Sequence, residues 1–93
     1  MQIKQSIKGT EGRFYIQQDD ELIGEVQFMK QNDHEIEIYH TEVAGKEQGH
    51  HIGEQLIEHA VNYARQNNLK ITPSCTFAKA VFTGNQSYQD VLA

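Results

Sequence analysis

Residues 35–72 read EIEIYHTEVAGKEQGHHIGEQLIEHAVNYARQNNLKIT, and a change of period inside this stretch decides the fold. Glu35-Ile36-Glu37-Ile38-Tyr39 alternates polar and apolar residues, as a half-buried strand does, and the strand is expected to run to about Val43. From Ile52 the period becomes helical. At about 100° per residue, Leu56, Ile57, Ala60, Val61, Tyr63 and Ala64 share one half of the wheel, with Gly53 in its middle. The opposite half carries Glu54, Gln55, Glu58, His59, Asn62, Arg65 and Gln66. The spacing predicts an amphipathic helix of about four turns that begins near residues 49–51 and stops at Asn67-Asn68, residues that tolerate a left-handed terminal conformation. Leu69-Lys70-Ile71-Thr72 follows as a short strand, and Pro73 confines it to a sheet edge or ends it. Strand, helix and strand in this order make a βαβ unit, with parallel strands and a right-handed crossover.

Upstream, Arg13 to Gln17 sets Phe14 and Ile16 on one side, and Gly24 to Met29 sets Val26 and Phe28 against Glu25 and Gln27. With the polar turn Asp19-Asp20-Glu21 between them, these runs form a hairpin with one wet face. A second polar turn, Gln31-Asn32-Asp33, leads into the strand at Glu35, so the first half reads as a β-meander. Downstream, Phe77 to Phe82 suggests a short apolar helix broken at Gly84-Asn85, and Gln86 to Ala93 is weakly specified. The expected class is α/β, a mixed sheet in which an antiparallel meander precedes the βαβ unit and a short C-terminal helix.

Ninety-three residues without repeat, low-complexity stretch or Pro/Gly/Ser linker are expected to form one domain over 1–93. A chain of this size buries roughly 60 to 65% of its unfolded surface, enough for one core. Thirteen acidic against eight basic residues give a net charge of −5, which disfavours non-specific nucleic-acid binding. No apolar run approaches the roughly 18 residues that span a bilayer, and the polar start lacks an export signal's apolar region. The single cysteine, Cys75, has no intrachain partner. Both features point to the cytoplasm.

In a sheet with a parallel pair, ligands favour the crevice beyond the carboxyl ends of those strands. Two segments should meet there: the loop from Ala44 to Gly53, and the turn carrying Ser74-Cys75. The loop bears glycines at 45, 49 and 53 and runs into a helix N-terminus, whose free N–H groups and dipole bind phosphate without a basic side chain. The spacing is neither the dinucleotide G-x-G-x-x-G nor a P-loop. The plainer reading is that Gly45 and Gly49 shape a tight turn and Gly53 packs the helix closely on the sheet. Cys75 reads either as a small packed hydrophobe or as a nucleophile activated near a helix end or a histidine. His40, at the strand's end, is a candidate base or partner of Cys75, or an ordinary strand residue. The other histidines lack a zinc spacing, and no metal is expected.

Thr41-Glu42-Val43, then Gln48-Gly49-His50-His51-Ile52-Gly53 and an amphipathic helix, resembles motif A of the GNAT superfamily of N-acetyltransferases, Gln/Arg-x-x-Gly-x-Gly/Ala. With His40 before it and Pro73-Ser74-Cys75 after the next strand, nearly the whole chain is similar to the very short GNAT-like subfamily of about one hundred residues. The resemblance implies acetyl-CoA as co-substrate, its pyrophosphate on the backbone amides of Gln48 to Gly53 and its pantetheine arm along Thr41 to Val43. It implies transfer to an amine, by direct attack or through Cys75 as acetyl carrier, with the thioester carbonyl polarised by a strand N–H. His51 departs from the motif by standing where its first glycine belongs. The pair of helices that usually walls the acceptor site is missing, which leaves an open groove. Tyr88 is a conceivable acid for the leaving thiolate but is not assigned that role. The acceptor stays open among small amine, peptide N-terminus and lysine. The alternative is a non-catalytic CoA-binding or protein-interaction module on the same fold.

Overall fold

A computed structural model describes residues 2–93. The period-2 run becomes the strand Glu35–Val43 (β4), with Ile36 and Ile38 buried toward one side. It pairs antiparallel with Glu21–Asn32 (β3), which in turn pairs antiparallel with Glu11–Gln18 (β2); β2 and β3 are joined at Asp19 and Asp20, both in the left-handed region with φ of 53° and 63°. Successive positive φ values twist a two-residue connection to match its strands, and aspartate tolerates them. Lys70–Pro73 (β5) pairs in parallel with β4, from Glu35 opposite Lys70 to Ile38 opposite Pro73. Pro73 ends the strand, and the chain then turns away from β4.

A fourth antiparallel strand precedes the expected three: Lys4–Lys8 (β1) pairs with β2 at the sheet edge. Its sequence, KQSIK, has a single apolar residue, so no alternation announces it; backbone pairing with β2 and lysines at both ends suit it to an edge. The order is β1-β2-β3-β4-β5.

One face of this sheet is covered by the helix Ile52–Gln66 (α1), which buries Ile52, Gly53, Leu56, Ile57, Ala60, Val61 and Ala64. Facing them, Phe14, Val26, Phe28, Ile36, Ile38 and Ile71 complete the core. The helix Thr76–Thr83 (α2) closes the core's flank with Ala78, Val81 and Phe82. The tail is better defined than its sequence suggests. Gln86–Val91 forms a 3-10 turn, Leu92 bridges to Ile71, and Arg65 on α1 bonds both carboxylate oxygens of Asp90, each at 2.9 Å.

Two expectations for α1 change. His59, placed on the wet half by the wheel, packs the edge of its imidazole on the buried ring of Phe14 with centroids 4.9 Å apart. Gly53 does admit a close approach, but of Phe77 on α2 and not of the sheet: a Cβ on Gly53 would lie 2.6 Å from Phe77 Cζ.

Among the described residues, the sheet face away from α1 carries no helix and is mainly polar, with Arg13, Glu25, Gln27, His40 and Glu42 on it. Two irregularities decide which residues reach it. Between Ile16/Gln17 and again between Gln27/Phe28 the register slips. In the second, Gln27 pairs with His40 and Phe28 with Ile38, which leaves Tyr39 as an extra residue. Such a bulge reverses which face the following side chains reach. Thr41 and Val43 therefore join Ile36 and Ile38 on the α1 side, and His40 and Glu42 go to the open face.

No helix among the described residues is long and apolar enough to cross a membrane.

Candidate functional site

The parallel pairing of β4 with β5 stops at Ile38, whose carbonyl accepts the Ser74 and Cys75 amides at 2.9 and 3.4 Å. Beyond that point β4 continues to Val43, while the other chain turns into α2. The two segments diverge, and a cavity of about 380 Å³ opens between them and the start of α1. Thr41 and Val43 form its strand wall, and Gln48, Gly49, His51, Ile52 and Gly53 its loop wall. Phe77 closes the third side, and Glu47 and Glu54 stand at the margin. The sequence-predicted loop and strand thus meet in one place. Of the proposed cofactor contacts, only Glu42 and His50 do not line this cavity.

The loop takes its shape from its backbone. Gly45–Glu47 makes a single 3-10 turn, held down by an ion pair of 2.7 Å from Lys46 Nζ to Glu21 on β3. Lys46 is therefore committed elsewhere, and the donors this loop offers are its backbone amides and the neutral side chains of Gln48 and His51. Gly49 has φ 90° and His51 has φ 60°, ψ 28°. The first suits glycine; the second is a left-handed conformation that an imidazole side chain adopts at a cost of about 1 kcal/mol. Nδ1 of His51 lies 3.0 Å from Glu54 Oε2, which fixes the ring and engages the one carboxylate in the helix's first turn. That hydrogen bond, the largest cause, draws the Glu54 pKa below its ordinary value.

Cys75 sits at the N-cap of α2. Its Sγ accepts the Ala78 amide at 3.4 Å and lies 3.4 Å from Thr41 Oγ1, so the sulfur bridges the helix end and the strand wall of the cavity. His40 is not the neighbour of this sulfur; its Nε2 lies 3.3 Å from Glu42 Oε1, on the open face. The residue that sequence reasoning expected beside Cys75 was off by one, because the bulge at Tyr39 exchanges the faces of positions 40 and 41.

Phe77 was missed as a site residue. Its sequence signal was only that of an apolar helix, yet its ring stays 37% exposed against the cavity. Tyr88 lies elsewhere, edge-on to Phe82 at 5.8 Å, where burial raises its phenol above the usual pKa. Among the described residues no group of three or more His, Cys, Asp or Glu side chains is placed to hold a metal ion.

Comparison with known proteins gives a consistent result. A family model described as GCN5-related N-acetyl-transferase matches residues 13–91. In solved structures, the chain is 36% identical to a GCN5-like candidate N-acetyltransferase from Staphylococcus aureus, over 99% of this chain and 87% of that one, with a TM-score of 0.75. It shares the fold of the ribosomal-protein-S18-alanine N-acetyltransferase from Escherichia coli, at 16% identity, 84% and 53% coverage and a TM-score of 0.69. An aminoglycoside N-acetyltransferase in complex with CoA also shares it, at 12% identity, 83% and 67% coverage and a TM-score of 0.64. No curated protein sequence matches.

Proposed function

The chain belongs to the GCN5-related N-acetyltransferase family, and on that premise we propose that residues 1–93 act as one domain that moves acetyl from acetyl-CoA to an amine. The observation that carries this reading is the cavity itself, where a strand freed of its neighbour lies beside a loop whose amides open a helix. The pyrophosphate would rest on the amides of Gln48 to Gly53, by charge–dipole attraction at the N-terminus of α1. The pantetheine arm would run along Thr41 to Val43 toward Cys75. A CoA-bound neighbour of the same fold supports the choice of co-substrate.

In the direct route, the amine nitrogen bonds to the thioester carbonyl carbon and the carbon–sulfur bond breaks. CoA leaves as a thiolate, and the amine's surplus proton passes to His40. In the two-step route the Cys75 sulfur first takes the acetyl group, releasing CoA as a thiolate; the amine then attacks the new thioester, whose carbon–sulfur bond breaks to regenerate the Cys75 thiolate, and the amine's surplus proton returns to that sulfur. The amide at the sulfur, Ala78 N–H, favours considering the second route. The His51 side chain and the two marginal carboxylates oppose tight anion binding, and they favour a second reading, a CoA-binding module without turnover. A cytoplasmic location fits one cysteine without an intrachain partner.

Intact-mass analysis after incubation with acetyl-CoA, together with thiol release in the presence of mixed amines, separates these. Turnover supports the enzyme. Binding without thiol release supports the module, and no binding removes both.

A further inference from the structure

The open face of the sheet holds a second cavity of about 370 Å³, unconnected with the first by any shared residue. It lies along a straight cross-strand row. Ser6 pairs with Arg13, Arg13 with Gln27, and Gln27 with His40, so one line of side chains crosses β1 to β4 on this face. Ser6, Arg13 and Gln27 line the cavity, and Tyr39, the bulged residue beside His40, closes its end.

Arg13 is held in place on two sides. Its Nη1 donates to Glu25 Oε1 at 2.9 Å, and its guanidinium carbon stands 4.0 Å from the centroid of the Tyr15 ring. Glu25 is the only buried charged side chain among the described residues, although its strand faces outward there. A carboxylate kept from water in this way is costly unless paired, and its one ionic partner is Arg13. Arg13 itself stays 42% exposed, and no hydrogen bond among the described residues engages its Nε or Nη2. A guanidinium fixed by a buried carboxylate and an aromatic face, with donors left over, is a preorganised fork for a second carboxylate.

At the β4 end stand His40 and the exposed carboxylate Glu42; at the other stand Arg13 and Lys8 with the carboxylates Glu11 and Glu25, and since Glu25 already takes Arg13 Nη1, what this end offers a ligand is the free Nε and Nη2 donors of Arg13 and not an excess of positive charge. Arg13 and His40 are two strand spacings apart, about 10 Å between backbones. We propose that the acceptor is a small amine that also bears a carboxylate, lying across the open face with its carboxylate on Arg13 and its nitrogen at His40, beside the gap that β5 leaves along β4 past Ile38 and through which the thioester would be reached. This rests on the acetyltransferase reading and narrows its unidentified acceptor to one chemical class. Arg13 is then a specificity-determining residue, and Glu25 is the positioning residue behind it.

The test uses matched probes, glycine, 4-aminobutanoate and 6-aminohexanoate against the unsubstituted alkylamines of equal length. Thiol release is recorded with acetyl-CoA, and side-chain NMR signals of Arg13 and Gln27 are followed without it. At least one amino acid should exceed its alkylamine by about 10- to 100-fold in kcat/KM, as expected of a charge-assisted contact. The same probe should move the Arg13 Nε–H signal. Arg13→Gln made together with Glu25→Gln, so that no buried carboxylate is left unpaired, should erase the preference, read as the ratio of amino-acid to alkylamine kcat/KM within the same protein, and Arg13→Lys should restore part of it. Equal use of the paired probes, or an Arg13 signal that no amino acid moves, overturns the proposal even if acetyl-CoA binds and turns over. If acetyl-CoA leaves the amides of residues 48–53 unmoved, the acetyltransferase reading has failed instead, and the inference falls with it.

Discussion

The ring of Phe77 occupies the space where a side chain at position 53 would be: Phe77 Cζ and Cε2 lie 2.6 and 2.8 Å from a Cβ placed on Gly53. The final glycine of the loop motif therefore serves an aromatic neighbour on α2, whatever it does for a phosphate in the proposed reading.

Gly53→Ala should leave stability within about 1 kcal/mol of wild type, because alanine's helix propensity gain of about that size offsets the displaced ring. CoA affinity should nevertheless fall, since the ring can only move against the cavity it lines. Combining Gly53→Ala with Phe77→Ala should recover more affinity than the single effects sum to. Calorimetric CoA titration of the four proteins checks this, and additive losses would assign Gly53 to the phosphate alone.

Cys75→Ala removes both a nucleophile and the N-cap acceptor of α2, at a cost of roughly 1 kcal/mol. Cys75→Ser keeps an acceptor for the Ala78 amide and so isolates the chemistry. A covalent carrier should show one hydroxylamine-labile acetyl mass in wild type. Cys75→Ser should lose that adduct and its turnover while keeping its melting temperature. Turnover maintained in Cys75→Ser would make direct attack the mechanism.

His51→Gly relieves a left-handed backbone but adds unfolded-state freedom of about 0.5–1 kcal/mol and breaks the contact with Glu54. The net change in stability should be small, below about 1 kcal/mol. Binding should respond more strongly, because the imidazole no longer narrows the loop wall; CoA affinity should rise. A lower affinity in His51→Gly would mean that the ring donates to the ligand.

Burial against Phe14 lowers the pKa of His59 from its ordinary value near 6.5. The unfolded chain therefore takes up this proton at a higher pH than the folded one. Stability from this residue is complete above the unfolded pKa and is lost as pH falls from about 6.5 toward the lower folded value. Melting temperatures from pH 8 to pH 5 should fall less in His59→Leu than in wild type. Parallel curves would show that His59 stays accessible to protons.

The strand order around β4 and the span of α1 were legible because Ile36, Ile38, Leu56, Ile57, Ala60 and Val61 keep strict periods over long enough runs. β1 was not, since KQSIK carries one apolar residue and owes its strand to hydrogen bonds with β2. At the site, the meeting of loop and strand end followed from topology, whereas Cys75 reaches only the strand wall, at Thr41, and does not itself line the cavity. Which side chains share a face did not follow from topology, because one unpaired residue at Tyr39 inverts the alternation and no local composition marks it. That inversion gave Thr41 to Cys75 and His40 to Glu42. The wheel likewise put His59 with the charged residues, although its flat ring can lie along the margin of the apolar stripe.

The early end of β5 at Pro73 has a consequence for the protein when nothing fills its cleft. Past Ile38, one flank of β4 has no strand to bond with, and an extended segment with free backbone groups is a template on which another chain can add itself. An occupant lying in that gap acts as a missing sixth strand, and its departure exposes a seam inside the sheet. Solubility is thereby tied to occupancy: the empty protein should self-associate at concentrations where the filled one stays monomeric, and slow exchange of the Thr41 and Val43 amides, which point away from β3, should appear only when the cleft is filled.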